Sequence, residues 1–125
     1  MKAKILLVDD SALARRTTRQ ILEAAGYAVV EAEDGMSALE RYFLEKPDVV
    51  LLDLVMKGMM GLDVLDKLHQ LDPKVRAIVL SADIQDSSRA MAAAGGARNF
   101  LNKPIDRASL LSAVSGELEA PASWN

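Results

Sequence analysis

The 125-residue chain contains no cysteine. Disulfides and thiol chemistry are therefore excluded, and a reducing compartment is weakly favoured. It also lacks any long apolar run. Lys2, Lys4 and the polar residues soon after Val8 argue against a signal peptide and a membrane-spanning helix. No basic stripe is present: lysines and arginines are scattered among acids, and a net charge of -3 with a pI near 5.1 argues against a nucleic-acid surface. Internal repeats, low-complexity segments and linkers are absent as well. The remaining class is one domain, half of it hydrophobic and long enough to bury its own core, expected in the cytoplasm without nucleic-acid or membrane contact.

What the sequence does have is alternation. Short apolar runs predict strands at Lys4 to Val8, Ala28 to Ala32, Asp48 to Leu52, Val75 to Leu80 and Arg98 to Leu101. Helical periodicity fills the gaps. A first helix runs from an N-cap at Ser11 to Ala25, with Ala14, Thr18, Ile21, Leu22 and Ala25 inward and Gly26 as its stop. A second spans Met36 to Glu45, ahead of Pro47, and a third follows Gly61 and stops near Asp72 and Pro73. The fourth, Asp86 to Ala94, is stopped by Gly95 and Gly96, and the fifth runs from an N-cap at Asp106 to Leu118. Five strands alternating with five helices predict a doubly wound parallel α/β domain over residues 1–119, with 120–125 as a C-terminal tail.

Two stretches carry chemistry. In "DVVLLDLVMKGMMG", Asp53 ends a run suited to a buried strand, and in "KILLVDDSALARR" another such run ends in Asp9 and Asp10. In open parallel sheets ligands bind outside the carboxyl ends of the strands. Neighbouring strands would bring the three carboxylates into one crevice, where like charges about 4 Å apart repel by roughly 4 kcal/mol at an effective dielectric of about 20. Such a cluster needs a cation, and oxygen-only ligands with room for water suit Mg²⁺. "FLNKP" adds Lys103 and "AIVLSAD" adds the Ser81 hydroxyl at two further strand ends. Together these groups can hold a phosphoryl group and stabilise its transfer.

From "ILLVDDS" through "VVLLDLVM" and "IVLSAD" to "NFLNKP", the sequence resembles the CheY-like response-regulator receiver domains over essentially its whole length. The resemblance implies strand order 2-1-3-4-5 and a phosphoacceptor, Asp53, charged by a sensor histidine kinase. It implies that Asp10 ligates Mg²⁺ directly, Asp9 largely through water, and Val55 through its main-chain carbonyl. Ser81 and Phe100 match the family's switch pair, Lys103 matches its active-site lysine, and a cis peptide is expected between Lys103 and Pro104. Such a protein is no enzyme beyond its own Mg²⁺-dependent phosphorylation and dephosphorylation. It is expected to signal to an output or phosphatase partner on the face of the fourth helix, fifth strand and fifth helix, as a monomer or a phosphorylation-dependent homodimer. Arg89, Arg98 and Met91 are the candidate contacts there.

Some positions depart from the family pattern. Lys57 and Gly58 follow Met56 where a proline is usual, and Phe100 lacks the hydroxyl of the common tyrosine. Val55 and Asp83 flank the position of the hydrolytic water, which leaves the lifetime of the phosphorylated state open. Simpler readings exist for several residues. Asp53 can cap a turn, and Asp9 and Asp10 can cap the first helix. Met56, Met59, Met60 and Met91 read as packing or loop filler, and His69 as solvent-facing. Three alternatives to a stand-alone switch stay open: a phosphorelay intermediate, the front of a longer regulator such as a DNA-binding one, and an unphosphorylated interaction module. A nucleotide- or flavin-binding enzyme would need a glycine-rich loop after the first strand, where Asp9, Asp10 and Ser11 stand instead.

Overall fold

Val49, Val50, Leu51 and Leu52 are fully buried, the condition of a strand covered by helices on both faces. They lie in one strand of a computed structural model that describes residues 2–56, 58, 60–82 and 86–119. The order of elements is β1 (Lys4–Val8), α1 (Ala12–Ala24), β2 (Ala28–Ala32), α2 (Gly35–Glu45), β3 (Val49–Asp53), α3 (Gly61–Leu71), β4 (Ala77–Ser81), α4 (Asp86–Ala94), β5 (Asn99–Asn102) and α5 (Arg107–Glu119). The five strands form one parallel sheet in the order β2-β1-β3-β4-β5, as expected.

Alternate residues of each strand feed two separate cores. Leu6, Val8, Val50, Leu52 and Val79 pack with Ala38, Val64, Leu65, Leu68 and Ala92 from α2, α3 and α4. Ile5, Leu7, Val49, Leu51, Ile78 and Leu80 pack with Leu22 of α1 and Leu110, Ala113 and Val114 of α5. Each face of the sheet thus buries an apolar layer, the main source of stability in such a domain.

Local capping explains where the helices begin. Ser11 Oγ accepts from Ala14 N at 3.2 Å and Asp106 Oδ2 from Ser109 N at 2.9 Å, so both predicted N-caps are observed. Asp34 also caps α2, in a reciprocal pair with Ser37 that the sequence reading lacked.

Three strands end later than predicted, because Asp53, Ser81 and Asn102 continue the parallel ladder and are the last residues of β3, β4 and β5. Two side-chain placements also need correction. Ala25 is exposed, since it is the C-cap of α1 and has left the helix's inward face. His69 is half-buried because Gly96 backs onto its ring; a Cβ at Gly96 would lie 2.5 Å from His69 Cδ2.

Candidate functional site

β1 and β3 are neighbours, with Val8 paired to Leu52. The next residues of each strand, Asp9 and Asp53, therefore emerge side by side at the carboxyl edge of the sheet, and Asp10 follows in the loop to α1. One carboxylate oxygen from each of Asp9, Asp10 and Asp53 lies within 4.8 Å of the other two. Asp9 and Asp53 are buried, at 3% and 6% exposure, while Asp10 is exposed.

Lys103 joins them from the end of β5. Its Nζ donates to Asp9 Oδ2 at 2.9 Å and to Asp53 Oδ2 at 3.1 Å. The other carboxylate oxygens are held by main chain: Asp9 Oδ1 accepts from Ser11 N at 2.9 Å and Asp53 Oδ1 from Val55 N at 3.3 Å. Asp9 thus shapes the entry to α1 and faces the cluster at once.

Burial pushes the Asp53 carboxyl above its ordinary range, and the nearby Asp9 adds to this, although Lys103 pulls the other way. For Lys103 burial acts to lower the pKa, but the hydrogen bonds and charges of Asp9 and Asp53 outweigh it and leave the ammonium held more firmly than usual. One ammonium does not balance three carboxylates. The donors are all oxygen, and the cluster can therefore bind a hard metal ion.

Ser81 is fully buried at the end of β4, and its carbonyl accepts from Lys103 N at 2.8 Å, which ties the lysine's backbone to the neighbouring strand. The Lys103–Pro104 peptide is cis. Val55 stands 63% exposed at the rim. Phe100 is buried in the core shared with α2, α3 and α4, and the Arg89 guanidinium lies over its ring, 4.8 Å from the centroid. Arg89 and Met91 are exposed on α4. Arg98 is not an open contact: its side chain is only 10% exposed and forms an ion pair with Glu117 of α5. Lys57, Met59 and Asp83 lie outside the described residues.

Gly61, which the sequence marks only as a helix start, fixes the back of the site. Its N–H donates to Leu54 O at 3.0 Å, and a Cβ there would lie 2.5 Å from both Asp53 O and Leu54 Cα. Only glycine lets α3 begin this close to Asp53, the last residue of β3, and to Leu54 after it. The sequence offered no more than a glycine after a methionine-rich loop.

A family model described as the response regulator receiver domain matches residues 5–115. The chemotaxis protein CheY of Bacillus subtilis is 38% identical over 119 residues, 94% of this chain and 99% of that protein. Among solved structures, a CheY-like receiver domain from Methanospirillum hungatei superposes with a TM-score of 0.90 at 28% identity, covering 95% of both chains. A CheX-CheY-BeF3-Mg complex from Borrelia burgdorferi matches with a TM-score of 0.87 at 31% identity, over 91% of this chain and 87% of that one. The chain belongs to the response regulator receiver domain family, of the CheY type. Among the described residues, no helix is long and apolar enough to cross a membrane.

Proposed function

We propose that this receiver takes a phosphoryl group from a sensor histidine kinase onto Asp53 and passes the signal on as a change of shape. The observation that carries the reading is the Lys103 ammonium bridging Asp9 and Asp53 beside Asp10, at the open end of the sheet. A carboxylate oxygen of Asp53 attacks the phosphorus in line and forms an acyl phosphate. The P–N bond to the donor imidazole breaks, and its electron pair stays on that nitrogen. Lys103 neutralises charge on the transferring oxygens.

Asp9, Asp10 and Asp53, with the Val55 carbonyl, are the groups that would hold Mg²⁺. When bound, the ion offsets the repulsion among the acids and the charge of the phosphoryl group. The all-oxygen donor set fits it.

Ser81 and Phe100 act as the switch. The Ser81 hydroxyl, already buried at the end of β4, turns toward the new phosphoryl oxygens, and the Phe100 ring and its Arg89 cover readjust beside it. The elements next to this pair are α4, β5 and α5, and that face receives the output or phosphatase partner, with Arg89 and Met91 exposed on it. The domain comprises residues 1–119, works in the cytoplasm, and catalyses nothing beyond its own phosphorylation and dephosphorylation.

Phosphoramidate, a small donor with a P–N bond, tests the transfer. Incubation with Mg²⁺ should label the protein on an acid-stable, hydroxylamine-sensitive acyl phosphate. Label that survives hydroxylamine, or none at all, counts against the reading.

A further inference from the structure

Arg15 lies in the first turns of α1, behind the acid pair, with its side chain only 14% exposed. Its Nη1 donates to the main-chain carbonyl of Asp9, and its Nε donates to Glu31 Oε1 on β2 at 3.0 Å. Glu31 is held in turn, since its Oε2 accepts from Arg19 Nη1, and Arg19 also pairs with Glu23 at 3.2 Å along the helix. One planar guanidinium therefore ties a strand β2 carboxylate to the loop that carries the acids.

The remaining polar atoms of Asp9 are already engaged. Its N–H donates to Ala32 O at 3.1 Å, Oδ1 accepts from Ser11 N, and Oδ2 from Lys103. The carbonyl held by Arg15 is one end of the rigid peptide plane that leads into Asp10. Asp10 is the exposed member of the cluster, whereas Asp9 and Asp53 are buried, so the set of the peptide that carries Asp10 bears directly on where its carboxylate points.

We propose that Arg15, aimed by Glu31, is a positioning residue that orients the Asp9–Asp10 peptide so that the Asp10 carboxylate points into the metal-binding cluster. The proposal rests on the reading of that cluster as a Mg²⁺ site. It differs in sign from a purely electrostatic role. A positive charge near three acids weakens Mg²⁺ binding, so removing it would tighten the site if charge were all that mattered. Loss of an outer support that orients a ligand instead weakens metal affinity, by about tenfold or more.

Isothermal titration with MgCl₂ separates the two. Arg15→Met should bind Mg²⁺ about tenfold more weakly than the wild type. Arg15→Lys should also be weakened, because one ammonium keeps the charge but does not reproduce the fork. Glu31→Asp, which keeps the charge but shortens the reach to the guanidinium, should show a smaller loss where charge alone predicts none, and it carries the test by itself if melting in chelator shows that the Arg15 variants do not fold. Unchanged or tighter binding in Arg15→Met, wild-type affinity in Arg15→Lys, or wild-type affinity in Glu31→Asp where that variant stands alone overturns the proposal and leaves the metal reading intact. Absence of Mg²⁺ binding by the wild type overturns both.

Discussion

Lys103 and Asp53 are separated by 50 residues in sequence, yet the lysine Nζ stands 3.1 Å from Asp53 Oδ2. The sheet order makes the meeting possible: β4 lies between their strands, and a long flexible side chain reaches across the Ser81 end of it to Asp53 and on to Asp9. Lys103→Met would leave two buried carboxylates without their cation. In metal-free buffer it should cost about 1 to 3 kcal/mol of stability by urea denaturation. With Mg²⁺ present, phosphorylation should slow by about a hundredfold, the scale of losing one charge-stabilising donor. Wild-type stability and rate would show that the contact is incidental.

Asp53 itself should be a liability to the metal-free fold. Burial raises its folded pKa above the ordinary carboxylate value, so the native state binds its proton more tightly than the unfolded chain does. Below the ordinary value the group is neutral in both states and costs nothing. The penalty grows as pH rises toward the elevated folded pKa and is complete above it. Asp53→Asn should therefore stabilise the protein in chelator at neutral pH, and the gain should shrink as pH falls into the carboxylate range. Denaturation curves at several pH values check the sign; a gain that grew on acidification would contradict it.

The two acids before α1 are not equivalent. Both Asp9 oxygens are engaged, by Ser11 N and by Lys103, whereas Asp10 lies exposed at the same cluster. Asp10→Asn should weaken Mg²⁺ binding by more than about tenfold, and Asp9→Asn by less. Titration calorimetry ranks them directly, and the reverse order would reassign the direct ligand.

Gly61→Ala tests how tightly α3 is set behind the strand that ends in Asp53. The new Cβ would meet main-chain atoms of Asp53 and Leu54 at 2.5 Å, and backbone gives way less readily than a flexible side chain. A loss of about 1 to 3 kcal/mol is expected from such overpacking, read by thermal or urea melts. An unperturbed melt would mean that the loop from Leu54 to α3 adjusts freely.

Much of this arrangement was legible because periodicity and strand-end acids are local signals. Val49 to Leu52 announced a strand buried on both faces, and the acids that end two such runs announced a site. Strand ends were less legible: Asp53 and Ser81 are polar, so hydropathy stops a strand before them, although their backbones still pair. Gly61, Glu31 and the Arg98–Glu117 pair depend on what another element brings near in space. The half-buried state of His69 is hidden for the same reason, since the ring lies against the glycine turn after α4.

The central claim is that Asp53 alone accepts the phosphoryl group, because it ends the strand between the acid pair and Lys103. Intact mass spectrometry after incubation with Mg²⁺ and acetyl phosphate measures this most directly. The wild type should gain the mass of one phosphoryl group, chelation of Mg²⁺ should suppress the gain, and Asp53→Asn should show none. An undiminished gain in Asp53→Asn would contradict the account.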